Sequence, residues 1–146
     1  FVEADAIVGV ATAGIAQGAL VADVLNVPFA YARPEPKKHG MGNQLEGRLP
    51  DGAKVVVLED LISTGGSSLK VVEALRGASV QVLGMVAIFS YGFDLAAENF
   101  KTHTIDLAVL STYEDLIAVA VEEGYISSDQ MMTLAAWRSS PATWGV

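Results

Sequence analysis

The stretch Val55-Val56-Val57-Leu58-Glu59-Asp60-Leu61-Ile62-Ser63-Thr64-Gly65-Gly66-Ser67-Ser68 decides the fold and locates the chemistry. Its apolar opening, residues 54–58, is β-branched and aliphatic, the pattern of a strand buried on both faces of a parallel sheet. Ligands of such sheets sit at the carboxyl ends of the strands. Past that end, residues 63–67 offer backbone N–H groups unobstructed by bulky side chains. A helix starting near Ser67 turns its positive end toward them, so an anion binds without needing lysine. Glu59 and Asp60 stand one step before this cradle. Two acceptor-only groups there would repel a second phosphate but hold the vicinal hydroxyls of a ribose. The competing reading is an ordinary strand-to-helix turn with solvated acids, and it leaves most of the pattern without a role.

Working outward, residues 5–10 read as a strand, 11–14 as a small-residue turn, and 15–26 as a helix burying Leu20, Val21, Val24 and Leu25. A second strand over 29–32 follows Pro28. From 33 to 52 the apolar periodicity disappears among prolines and glycines, which marks a loop with room for a short hairpin; loops of this length are usually lids, binding loops or linkers. After the central strand and turn come a helix over 67–76 stopped at Gly77, a strand over 80–89, a short helix over 95–101 and a strand over 104–110. Thr112 with Asp115 makes a capping-box start for a helix reaching Glu123, with Gly124 as its stop. Ser127 with Gln130 caps a last helix through Trp137. This alternation predicts an α/β fold, a parallel sheet flanked by helices with right-handed crossovers, as one domain over residues 1–146.

The 146 residues are half hydrophobic, at 51%, enough for a real core. The longest apolar stretch, near 82–89, falls far short of the ~18 residues that suggest a membrane span. A net charge of −8 argues against nucleic acid or an anionic membrane as the main partner, since both reward a basic face. With no cysteine and no basic, apolar leader in the sequence, the expected location is the cytoplasm. The chain opens at Phe1 and enters a strand almost at once, so an N-terminal segment is expected to be missing.

Two further segments carry chemistry. Val8-Gly9-Val10-Ala11-Thr12-Ala13-Gly14-Ile15 is a second potential anion cradle, small residues after a strand feeding a helix start; a tight turn needed only for packing explains it equally well. It spells neither G-x-G-x-x-G nor a P-loop. In Tyr31-Ala32-Arg33-Pro34-Glu35-Pro36-Lys37-Lys38-His39-Gly40, three of the nine Lys and Arg residues fall within six positions. On a glycine-bounded lid they could close over an anion, with His39 as a further cation or donor. A solvated charge run is the plainer alternative.

Residues 55–67 resemble the phosphoribosyl-diphosphate (PRPP) motif of type I phosphoribosyltransferases: four apolar residues, two acids, two apolar residues, then Ser/Thr and Gly. The segment 31–40, the continuation over 40–47 and Ala87-Ile88-Phe89-Ser90-Tyr91-Gly92-Phe93 are similar to the orotate branch of that family, whose mobile loop would here span about 33–47. The resemblance implies a Mg²⁺-dependent orotate phosphoribosyltransferase of pyrimidine biosynthesis. It places PRPP against Arg33, Lys37, His39, Glu59, Asp60, Leu61, Ile62, Ser63, Thr64, Gly65, Gly66 and Ser67, and pyrophosphate against Ala11, Thr12, Ala13 and Gly14. Ser63 also touches orotate, Lys37, His39, Glu59 and Asp60 carry the catalytic charges, and Mg²⁺ is held mainly through PRPP rather than by direct protein ligands. It further implies a homodimer whose loop crosses to the partner's site. Pro34, Ala13 and Tyr91 depart from the family pattern, where basic residues are common, and the hood that covers the base has no counterpart here. The alternatives are a non-catalytic PRPP- or nucleotide-binding module and a phosphoribosyltransferase for another base. Ser67-Ser68-Leu69-Lys70 also fits Ser-x-x-Lys, but the Lys-Thr-Gly element of serine catalysis is missing from the sequence.

Overall fold

The computed structural model describes residues 3–36 and 44–145. Its elements are β1 (Ala6–Val10), α1 (Gly14–Leu25), β2 (Phe29–Ala32), β3 (Leu45–Gly47), β4 (Lys54–Ile62), α2 (Gly66–Gly77), β5 (Gln81–Ser90), α3 (Asp94–Thr102), β6 (Leu107–Thr112), α4 (Tyr113–Glu122) and α5 (Ser128–Ser139), with a closing 3₁₀ turn at Pro141–Thr143. The strands form one sheet in the order β3-β2-β1-β4-β5-β6. All neighbours are parallel except β2 and β3, which pair antiparallel; among the described residues, the one strand found within the 33–52 stretch, β3, pairs with β2 rather than with a second strand of that stretch.

The core follows from the sequence of β4. Val55, Val56, Val57 and Leu58 are all buried, Val55 and Val57 in the larger cluster and Val56 and Leu58 in the smaller one across the sheet. Side chains alternate between faces, so a strand with no polar position in this run must be covered on both sides. Leu69, Val71, Val72 and Leu75 of α2 join the larger cluster.

Three expectations need correction. β4 does not stop at Leu58 but runs to Ile62, so Glu59 and Asp60 belong to the strand; β5 supports this extension by pairing through Ile62 and Ser90. The last parallel strand begins at Leu107 rather than 104, because Thr104 has a φ of 52° and cannot be extended. The third concerns α1. Leu20 and Val24 are 68% and 83% exposed, with Val21 and Leu25 also on the surface, and the buried residues are Gly14, Gly18 and Ala22.

The reason is steric. A Cβ on Gly14 would stand 2.6 Å from the Leu58 carbonyl oxygen, and one on Gly18 would meet Phe29 at 2.7 Å and the Gly9 backbone at 3.3 Å. The helix rests on the sheet through its smallest residues, which leaves its large apolar side chains facing outward. Gly14→Ala is therefore expected to destabilise the chain by about 1–3 kcal/mol in urea denaturation, as overpacking does. Val24→Ala, on the exposed face, should stay within about 0.5 kcal/mol.

Candidate active site

The winding of the sheet reverses between the parallel strands β1 and β4: β1 leads through α1 to β2 on one side, and β4 leads through α2 to β5 on the other. In open α/β sheets this switch point leaves a crevice at the carboxyl ends of the strands. Residues 11–13 border it on the β1 side and residues 63–67 on the β4 side. Because β1 pairs with β4 only as far as Leu58, the last four residues of β4 continue beyond it.

The two helices entering this crevice begin without a side-chain cap, as α3 also does. α1 starts after Ala13 and α2 after Gly65. By contrast, α4 and α5 have the complete capping boxes expected at Thr112/Asp115 and Ser127/Gln130. The first N–H groups of a helix have no partner within it; in α1 the Ile15 amide donates back to the Thr12 carbonyl at 3.2 Å, which leaves the start of α2 as the more open place for an anion.

The α2 cradle is braced from behind by α3. Asn99 Nδ2 donates to the Thr64 carbonyl at 2.9 Å. Gly65 has a φ of 80°, and a Cβ there would lie 2.6 Å from Phe100. Both contacts hold the turn while Ser63, Thr64, Gly66 and Ser67 remain exposed. Nothing in the local motif announced Asn99 or Phe100, whose sequence distance from it is bridged only by the fold.

The two acids do not share one environment. Glu59 is 6% exposed, and its Oε2 accepts a 2.6 Å hydrogen bond from Ser68 Oγ, itself 1% exposed on the first turn of α2. Its Oε1 accepts from the Asp60 amide at 3.1 Å. Burial pushes the Glu59 carboxyl up to about 7, and the neighbouring Asp60 adds to this while the Ser68 hydroxyl works against it. Asp60 is half-buried. Ser68 was legible as a helix residue but not as the partner of an acid nine positions earlier.

Arg33 lies at the end of β2, its amide donating to the Gln44 carbonyl at 2.8 Å. Its side chain stands 3.7 Å from Glu46 and over the Tyr31 ring. Lys37 and His39 lie outside the described residues. Beyond residues 63–64, a cavity of about 950 Å³ opens between the N-terminal end of α3, α4 and α5, with Gly92, Phe93, Tyr113 and Arg138 in its wall.

Residues 2–122 match the family model described as "Phosphoribosyl transferase domain". The chain is 54% identical over 140 residues to the orotate phosphoribosyltransferase of Cytophaga hutchinsonii, covering 96% of this chain and 67% of that protein. It is 52% identical over 146 residues to that of Porphyromonas gingivalis, covering all of this chain and 70% of the relative. This chain belongs to the orotate phosphoribosyltransferase family. The crystal structure of orotate phosphoribosyltransferase from Aeropyrum pernix superposes with a TM-score of 0.72 at 32% identity, over 85% of this chain and 67% of that one. The type I phosphoribosyltransferase fold expected from the motif is thus the fold found. His103 closes α3, its Nε2 3.2 Å from Glu73.

In this phosphoribosyltransferase, the raised Glu59 carboxyl has a consequence for stability. Between its ordinary 4.5 and about 7 the folded chain keeps a proton that the unfolded chain has lost, so stability falls as pH rises through that window. The thermal midpoint of the wild type should therefore drop relative to Glu59→Gln between about pH 5 and pH 8. Parallel midpoints across that range would show that Glu59 is ionised in the fold.

Proposed function

We propose that the chain transfers the ribose 5-phosphate of PRPP to orotate, giving orotidine 5′-monophosphate and pyrophosphate. The observation that carries this reading is the uncapped start of α2 standing beside Glu59 and Asp60 at the switch point, in a chain whose relatives at 52–54% identity are orotate phosphoribosyltransferases. That identity favours orotate over another base, and catalysis over a binding module.

The proposed roles are those the family resemblance implies, supported where the residues are described by their position at the crevice. The amides of residues 63–67 take the 5-phosphate, and Leu61 and Ile62 set the strand end from which that turn springs. Asp60, half-buried at the crevice, faces the ribose hydroxyls; Glu59 lies beneath it and is held by Ser68. Residues 11–14 receive pyrophosphate through backbone groups, and Ser63 reaches the base. Arg33, Lys37 and His39 supply positive charge at the leaving group. Breaking the C1–O bond builds positive charge on the ribose and negative charge on pyrophosphate. Preorganised charges of opposite sign on the two sides lower that barrier.

Among the described residues no group of three or more His, Cys, Asp and Glu is arranged to hold a metal. The acids present fit a Mg²⁺ ion carried mainly by substrate oxygens, with Asp60 as the approachable carboxylate. When bound, such an ion neutralises charge on the pyrophosphate. Orotate is already an anion, so positioning and exclusion of water matter more than a strong protein base. No helix of the described residues is long and apolar enough to cross a membrane, and a cytoplasmic enzyme fits this reading.

Release of pyrophosphate dependent on orotate tests the activity itself. Asp60→Asn should weaken Mg²⁺-PRPP binding by at least about ten-fold in calorimetry while leaving the thermal midpoint unchanged. Unchanged affinity would remove Asp60 from the site. For the proposed dimer with a crossing loop, Lys37→Ala and Asp60→Asn subunits, each inactive alone, should regain activity when mixed, because one heterodimer site then receives an intact loop and an intact acid. A confirmed heterodimer without recovery would place Lys37 in its own subunit's site.

A further inference from the structure

The C-terminal helix α5 lies beyond the residues matched by the family model and contains no fully buried residue. Apolar burial therefore does little to fix it against the domain. Two consecutive side chains do so instead, and both reach toward the active-site side of the sheet.

Trp137 enters an aromatic cluster. Its ring centroid is 5.6 Å from that of Tyr91, 6.2 Å from Phe93 and 5.4 Å from Tyr113. Tyr91 and Phe93 stack on one another at 5.5 Å with planes 8° apart. Arg138 continues the attachment: Nε donates to the Tyr91 carbonyl at 3.3 Å, Nη2 to the Gly92 carbonyl at 3.1 Å, and Nη1 to Glu114 at 3.2 Å. A guanidinium offers five N–H groups in a rigid fork, so a single side chain can fix two successive carbonyls in direction as well as distance.

The clamped segment is the one that leaves β5 beside the cradle. The Tyr91 amide donates to the Ile62 carbonyl at 3.0 Å, directly before Ser63. Gly92 has a φ of 66°, its amide donates to Ser90 Oγ at 3.0 Å, and a Cβ there would press on Arg138 Nη2 at 3.1 Å. Gly92, Phe93 and Arg138 then line the same cavity as Ser63 and Thr64. Among the described residues Arg138 is the one basic side chain in that wall.

We propose that Arg138 is a positioning residue for the base. Its fork on the Tyr91 and Gly92 carbonyls holds residues 91–93 as the wall against which the base lies, next to Ser63. This inference rests on the phosphoribosyltransfer reading and adds a residue outside the PRPP motif. It predicts a division of effects: the base end of the site depends on Arg138, and the phosphate end does not. The ion pair with exposed Glu114 contributes little by itself, as exposed pairs do, so charge alone should not substitute for the fork.

The test compares wild type, Arg138→Met and Arg138→Lys in steady-state kinetics and in hydrogen exchange of the free protein. Arg138→Met should raise the KM for orotate about ten-fold and leave the KM for PRPP within about two-fold. Amide exchange should speed up over residues 91–93 and stay unchanged over 63–67. Arg138→Lys should behave like Arg138→Met, with the orotate KM still raised, because the exposed pair with Glu114 adds little and lysine cannot bridge two carbonyls in a plane. Equal changes in both KM values, or a lowered midpoint with an unchanged orotate KM, would reduce Arg138 to a brace for α5 and overturn the inference. If the wild type itself turns over no orotate, the functional reading fails first, and the base-positioning role falls with it; that outcome is recognised before any variant is measured.

Discussion

Where α1 meets the sheet, its first residue lies so close to β4 that one added carbon at Gly14 would stand 2.6 Å from the Leu58 carbonyl oxygen and 3.6 Å from the Glu59 Cα. Gly9 on β1 is under the same restriction, since a Cβ there would lie 2.5 Å from the Gly14 carbonyl oxygen. The helix, β1 and β4 are therefore packed backbone to backbone at the switch point. Moving any one of them shifts the loop at residues 11–13 relative to the acids, so the geometry of the crevice is set by the lack of side chains around it. The outward orientation of Leu20 and Val24 follows from the same contact: with the small residues turned to the sheet, the rest of the helix has no other way to face.

A second layer holds the opposite wall. α3 touches the cradle at two points, Asn99 on the Thr64 carbonyl and Phe100 against Gly65. α3 is fixed in turn to α2 at its far end, where Arg76 donates to the carbonyls of His103 and Thr104 and His103 lies against Glu73. The turn proposed to meet the phosphate is thus bound into a frame of two helices, so its exposed residues would need little rearrangement to receive an anion. Preorganisation of this kind lowers the cost of binding.

What the sequence revealed and what it withheld divide along physical lines. Regular, local signals were read correctly: the apolar run of β4, the capping boxes at Thr112 and Ser127, the stop at Gly124, and the motif that pointed to the family. Readings that assumed a typical packing failed. The apolar residues of α1 were expected inside because amphipathic helices usually bury such residues, whereas here glycine controls the approach. The strand was read as the apolar run ending at Leu58, yet Glu59 continues it, taking a hydrogen bond from Ser68 with its carboxyl pushed up by burial. Asn99, Phe100 and Arg138 were out of reach for a different reason: their partners lie 35, 35 and 46–47 positions away in sequence, and only the closed fold brings them together.

The bare starts of α1 and α2 have a thermodynamic side. Placing Ala or Gly where Ser, Thr, Asp or Asn would cap a helix forgoes up to about 1 kcal/mol at each end, more with Ala than with Gly. The free fold carries that deficit, and an anion bound as proposed at the amides would supply the missing partner. Binding and folding are then coupled: a ligand present at about a hundred times its dissociation constant adds roughly 2.7 kcal/mol to the stability of the native state. A cell rich in the ligand would hold more of this protein folded than a starved one, so the abundance of the chain would follow the supply of its own substrate without any separate sensor.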